Sequence, residues 1–231
     1  MADFIHHLLF GIYPYIALAV LAVGSVIRYD REPYSWRAGS SQLLRRKQLI
    51  IGSVLFHAGV LLIFAGHVVG LLTPIAVFDT LGISHGAKQL LAIVVGGFAG
   101  VLGIVGATLL IHRRFFDPRV RAASSFSDNM VILLLWAQLA LGLATIPLSL
   151  QHLDGHEMVK FMNWAQGIFT FRSGAAGQIA DVAPVFKLHL FMGLTILLLF
   201  PFTRLVHMLS APVRYVWRPG YQVVRSRKLA R

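Results

Sequence analysis

A chain of 231 residues that is 57% hydrophobic and only 13% charged, with mean hydropathy +0.72, lies outside the composition of a soluble domain and reads as an integral membrane protein. Its formal net charge of +12 raises the question of nucleic acid, but the basic residues gather in short connections between apolar runs. Topology and anionic lipid headgroups account for that placement, so no nucleic acid partner is expected. The lack of any cysteine excludes disulfides, thiolate haem ligation and cysteine-held iron–sulfur clusters.

Crossing a hydrocarbon layer of about 30 Å takes about 20 helical residues. Five apolar runs reach that length, at 8–27, 49–72, 90–111, 130–150 and 185–208. The first is too long for the core of a signal peptide and carries its positive flank behind it, which predicts a retained helix. The connection after it, "RYDREPYSWRAGSSQ", supplies Tyr29, Tyr34 and Trp36 for the headgroup layer and is expected to lie along the membrane surface. The second run contains His57 and His67. The third contains Gly96, Gly97, Gly100, Gly103 and Gly106, with Gly96 and Gly100 making a small-xxx-small step that reads as helix packing. Beyond the fourth run comes the longest connection, 151–184, in which "WAQGIFTFRSGAAGQ", with Trp164, Phe169 and Phe171, predicts a short interfacial helix. The fifth run contains His189 and His207, and the basic tail 209–231 is too short to fold alone. The whole chain 1–231 is therefore expected to be a single transmembrane domain.

Arg28, Arg31, Arg37, Arg45, Arg46 and Lys47 sit in or beside the first connection, Arg113, Arg114, Arg119 and Arg121 in the third, and Arg214, Arg218, Arg225, Arg227, Lys228 and Arg231 in the tail. The second and fourth connections hold little beyond Lys88, Lys160 and Arg172. The positive-inside rule places the three basic segments in the cytoplasm. The fold class expected is thus an all-α integral membrane protein, a five-helix transmembrane bundle with its N-terminus outside and its C-terminus cytoplasmic.

Of the ten histidines, His6, His7, His85, His112, His152 and His156 fall at interfaces or in connections, where a polar ring costs little. His57, His67, His189 and His207 lie within apolar runs, where an ionisable side chain is a functional hypothesis. Helices two and five, three crossings apart, run antiparallel, which pairs His67 with His189 at the outer end and His57 with His207 at the inner end. The ten-residue gap on helix two spans about 15 Å and the eighteen-residue gap on helix five about 27 Å, so the pairs are expected roughly 20 Å apart, with Pro201 free to bend helix five. Zinc and copper need three or four ligands at one point. A haem iron instead takes one imidazole from each of two facing helices, which favours electron transfer over oxygen chemistry. Gly59, Gly66 and Gly193 would leave room for a flat macrocycle. Arg37, Arg113 and Arg204 are candidates for its propionates, although solvated interface charges are the preferred reading of all three.

The segments "IYPYIALAVLAVGSVIRYD", "YSWRAGSSQ", "LFHAGVLLIFAGHVVGLLTP", "RRFFDPRVRA", "TIPLSLQHLDG" and "LHLFMGLTILLLFPFTRLVHMLSAPVRY" together resemble the membrane cytochrome b (gamma) subunit of respiratory nitrate reductase, nearly end to end. The resemblance implies a multi-pass subunit of the prokaryotic inner membrane that binds two haem b groups. It would oxidise quinol at the outer haem and pass electrons to the inner haem, then to a cytoplasmic iron–sulfur beta subunit and a molybdenum alpha subunit that reduces nitrate. Protons would be released outside. By that resemblance His67 and His189 hold the distal haem and His57 and His207 the proximal one. Lys88 in "GAKQLLA", Gly66 and His67 form the quinol site, and His85 is a further candidate there, although an interfacial ring is the preferred reading. The alternatives are a dihaem cytochrome b serving formate dehydrogenase, a hydrogenase or a sulfur-cycle complex, and a haem-free transporter or scaffold.

Overall fold

The computed structural model describes residues 1–36, 41 and 43–210, and every regular element among them is helical. Five helices are long and apolar enough to cross a membrane: α1 (Ala2–Arg31), α2 (Arg46–Leu72), α3 (His85–Phe116), α4 (Phe126–Ser149) and α5 (Pro184–Phe202). Val23, Leu61, Phe98 and Val101 are among the large apolar side chains they turn outward, as lipid requires. The basic tail from residue 211 lies outside the described residues.

The helices run past the apolar runs because caps stop them, and hydropathy does not see caps. Ser84 accepts a hydrogen bond from the Ala87 N–H at the start of α3, and Ser125 accepts one from Asp128 at the start of α4. Between these helices Asp117 caps the short helix Pro118–Ala122, accepting from the N–H groups of Val120 and Arg119. The Val120 bond first, and the neighbouring Arg45 and Arg113, hold its carboxyl below the ordinary aspartate value.

The helices pack in an arc, with α2 against α3, α3 against α4, α4 against α5 and α5 against α1. The α2–α3 contact is backbone on backbone. A Cβ at Gly59 would stand 2.5 Å from the Ala99 carbonyl oxygen and the Gly103 nitrogen, and one at Gly106 would stand 2.7 Å from the Gly52 oxygen. The small-xxx-small reading is corrected here: nothing lies within 4 Å of a Cβ at Gly96, while Gly100 packs on Leu143 of α4.

The helix expected in the fourth connection forms, but it starts at His156, ahead of Trp164, and ends at Phe169. It plugs the N-terminal end of the arc. Met162 is fully buried, Trp164 Nε1 donates to the Phe10 carbonyl at 2.9 Å, and Gln166 Nε2 donates to the Leu71 and Thr73 carbonyls at 3.1 and 3.0 Å. Those last two carbonyls are orphans of the α2 C-terminus, so the helix is held by the groups α2 cannot satisfy itself.

The expected continuous fifth helix, 185–208, is interrupted. Its α-helical part ends at Leu199, a 3-10 turn covers Phe200–Phe202, Thr203 is extended, and a second 3-10 segment, Arg204–Ser210, carries His207. Pro201 has no N–H to give the ladder and crowds the preceding turn. Arg28 of α1 bonds to the carbonyls at the break, its Nη1 donating to the Pro201 oxygen at 2.6 Å and the Thr203 oxygen at 2.7 Å.

Candidate cofactor site

Backbones do not pack between α2 and α5; rings meet there. His57 and His207 have ring centroids 6.3 Å apart, and His67 and His189 have them 6.2 Å apart. The pairing expected from antiparallel helices is the one observed. One metal ion held between two imidazole nitrogens, at about 2 Å from each, would set the ring centroids roughly 6 Å apart. Both pairs fit that spacing. Among the described residues no three His or acidic side chains converge as a metal-holding group. The chemistry of the donor set, two isolated pairs of imidazoles, suits irons that take their other ligands from a porphyrin.

Three of the four rings are oriented through Nδ1, which leaves Nε2 outward. Nδ1 of His57 lies 2.8 Å from the Ser53 carbonyl, Nδ1 of His67 lies 2.8 Å from the Ile63 carbonyl, and Nδ1 of His207 lies 2.5 Å from the Arg204 carbonyl. Such bonds fix the tautomer and raise the basicity of the free nitrogen. The break in α5 also removes the inequality in spacing, because the chain between His189 and His207 is not a single straight helix.

Of the glycines read as room for a macrocycle, only Gly66 is open, with nothing within 4 Å of a Cβ placed there. Gly59 is spent on the α2–α3 contact, and a Cβ at Gly193 would meet Gln138 Nε2 at 3.2 Å. Lys88 is buried, with Nζ 2.7 Å from Met162 Sδ and 4.3 Å from the centroid of the Phe78 ring. No hydrogen bond or ring contact among the described residues joins it to His67. His85 stands at the surface, with Nε2 3.3 Å from Asp79 Oδ1, as an interfacial ring would.

The arginine readings need correction. Arg113 is buried, not solvated, and its guanidinium is spent on Ser41 Oγ and on the carbonyls of Ser41 and Leu44, where it shapes the first connection. Arg204 and Arg114 both reach Asp128, at 3.4 and 3.6 Å. Arg37 lies outside the described residues.

A family model described as nitrate reductase gamma subunit matches residues 6–227. The chain belongs to the nitrate reductase gamma subunit family. It is 49% identical to the respiratory nitrate reductase 1 gamma chain of Escherichia coli (strain K12), with 97% of this chain and 99% of the relative covered. It is 48% identical to the respiratory nitrate reductase 2 gamma chain of the same organism and 38% identical to the nitrate reductase gamma chain of Bacillus subtilis (strain 168), each over at least 95% of both chains. Family membership together with five apolar helices makes the chain a multi-pass subunit of an electron-transport oxidoreductase complex in the prokaryotic inner membrane.

Two residues of this gamma subunit escaped the sequence reading. Arg28 was counted as topological charge, although it braces the segment that bears His207. Gln138 of α4 donates through Nε2 to the His189 carbonyl at 3.1 Å and stands 3.5 Å from His189 Nε2. Its signal was available: it is an amide near the middle of the fourth apolar run, where polar side chains need a reason.

Proposed function

We propose that the chain is the quinol-oxidising, dihaem b membrane subunit of a respiratory nitrate reductase. His67 and His189 would hold the outer group and His57 and His207 the inner one. The observation that carries this reading is the spacing of both ring pairs, 6.2 and 6.3 Å, one between α2 and α5 and the other between α2 and the 3-10 segment that follows α5. Haem b bound at these rings supplies one-electron carriers along the bundle axis, directed from quinol toward a cytoplasmic iron–sulfur subunit and a molybdenum subunit that reduces nitrate.

The chain's own residues do the rest. The carbonyls of Ser53, Ile63 and Arg204 aim three of the imidazoles. Lys88, whose Nζ meets a thioether and an aromatic face among the described residues, keeps N–H donors for a quinol oxygen. The opening at Gly66, next to His67, leaves the quinol ring a place beside the outer pair. Oxidation of quinol releases two electrons and two protons, and a site at the outer rim sends the protons outside. The helix His156–Phe169 roofs that end and limits water. The basic end, with Arg46, Lys47, Arg119 and Arg121 on its described part, faces the cytoplasm and docks the iron–sulfur partner beside anionic headgroups.

Reduced-minus-oxidised spectra of membranes carrying His67→Ala and His207→Ala test the assignment. Each variant is expected to lose one haem b and keep the other. Wild-type protein without a bis-imidazole spectrum would overturn it in favour of a haem-free membrane protein.

A further inference from the structure

His189 is the exception among the four paired histidines. Its Nδ1 is buried and has no partner, whereas the other three rings hand that nitrogen to a carbonyl of their own helix. A second orphan lies on the side chain it touches: Oε1 of Gln138 is also buried with no partner. The Gln138 amide is held in place by its bond to the His189 carbonyl, and its nitrogen sits 3.5 Å from the ring. Gly142, one turn further along α4, brings that helix onto the ring, since a Cβ there would stand 3.1 Å from His189 Cε1.

A buried donor and a buried acceptor on touching side chains cost a desolvation penalty each until they meet. A neutral imidazole has one N–H and one lone pair. If Nε2 gives its lone pair to a metal, the proton must sit on Nδ1, and among the described residues the orphaned acceptor on the side chain it touches is Gln138 Oε1. Gln138 Nε2 faces ring Nε2 at 3.5 Å, so it is rotation of the imidazole about Cβ–Cγ, with the amide kept on the His189 carbonyl, that would turn Nδ1 toward Oε1.

We infer that Gln138 is the positioning residue of the outer pair, a side-chain amide from α4 that takes the proton of His189 Nδ1 and thereby sets the basicity of its Nε2. This rests on the dihaem reading above. The consequence is an asymmetry: each of the other three rings has a backbone carbonyl at Nδ1 that substitution cannot change, joined at His57 by the Ser53 hydroxyl at 3.2 Å, whereas the outer ring on α5 depends on a replaceable side chain alone. A stronger acceptor there makes the imidazole a better donor to iron and favours the oxidised state, which lowers the potential.

Redox titration of both haems in membranes bearing the assembled complex tests it, with haem content measured alongside. Gln138→Met, similar in shape and without the acceptor, is expected to raise the midpoint of the outer haem. Gln138→Glu, which accepts more strongly, is expected to lower it. Neither is expected to move the inner midpoint. A wild-type sample without two haem signals overturns the dihaem reading itself. Two signals in the wild type, with an outer midpoint that stays put or shifts the same way in both variants, overturn the role of Gln138 alone. Should the Met variant lose the outer haem, the Glu variant decides: a lowered midpoint upholds the inference and an unchanged or raised one ends it.

Discussion

At the scale of single residues, the four histidines of the paired rings were legible because an imidazole in a lipid-length apolar run stands out against everything around it. Their counterparts were not, since Arg28 and Gln138 act on carbonyls and rings that only the fold brings near. Two outcomes follow from these contacts. Replacing Lys88 by Met removes the ammonium and keeps the apolar packing; a charged hydrogen bond is worth about 1.5–3 kcal/mol. Quinol-dependent nitrate reduction is expected to fall roughly tenfold to hundredfold, with both haem bands intact in the same preparation. Replacing Arg28 by Leu leaves the Pro201 and Thr203 oxygens without their donor, at a cost of about 1–3 kcal/mol for each buried group. The inner haem is expected to bleach at a lower temperature than in wild type, with the outer one unmoved. Arg28→Lys should recover only part of the loss, because an ammonium lacks the planar fork that also holds Ser35.

At the scale of elements, the crossings were legible from hydropathy, and their ends were not, because Ser84, Ser125 and Asp117 set them by capping. The glycines of α3 announced close packing, yet only structure tells Gly103 and Gly106, which meet α2, from Gly96, which meets nothing. A Cβ at Gly106 would press on Phe56 and the Gly52 oxygen, so Gly106→Val is expected to lower the melting temperature in detergent, the overpacking costing about 1–3 kcal/mol or more. The segment before α5 has a different anchor. Lys160 binds Asp181 at 2.7 Å and Glu157 at 2.9 Å. The Lys160 bond first holds the Asp181 carboxyl below its ordinary value, and Asp181 first, then Glu157, raises the lysine. The carboxylate's contribution is present above the value it has in the unfolded chain and is lost as pH falls through its folded value. The lysine's is full below its unfolded value and lost as pH climbs past the raised one. The anchor therefore holds through the neutral range. Proteolysis between residues 170 and 183 is expected to rise below about pH 4, and Asp181→Asn should show that susceptibility at neutral pH already.

At the scale of the whole molecule, the sequence discloses five crossings and a charge asymmetry, but not the order of helices around the arc, since lipid and protein both ask for apolar side chains. The described residues build one core from Phe56, Ala107, Ile132 and Leu139 on α2, α3 and α4, and another from Phe10, Ala17, Trp164, Ile179 and Leu194 around α1 and α5. The paired rings lie where these halves face one another. The proposed orientation puts the basic segments and the C-terminus on the cytoplasmic side. A green fluorescent protein fused after Arg231 is expected to glow, and a periplasm-dependent phosphatase at the same place to stay silent; the reverse pattern would invert the proposed direction of proton release.

The interruption after Leu199 carries one more meaning, concerning how such a protein comes apart. His189 rides on an intact transmembrane helix, so freeing it means dismantling the bundle. His207 rides on a 3-10 segment of seven residues with few polar ties to the bundle: Arg28 bonds to the carbonyls just before it, Arg204 pairs with Asp128, and Trp36 donates to Ser210. Partial openings start where the fewest bonds resist, so under heat or denaturant the two prosthetic groups of the proposed dihaem subunit should leave in a set sequence, the one held by His207 first.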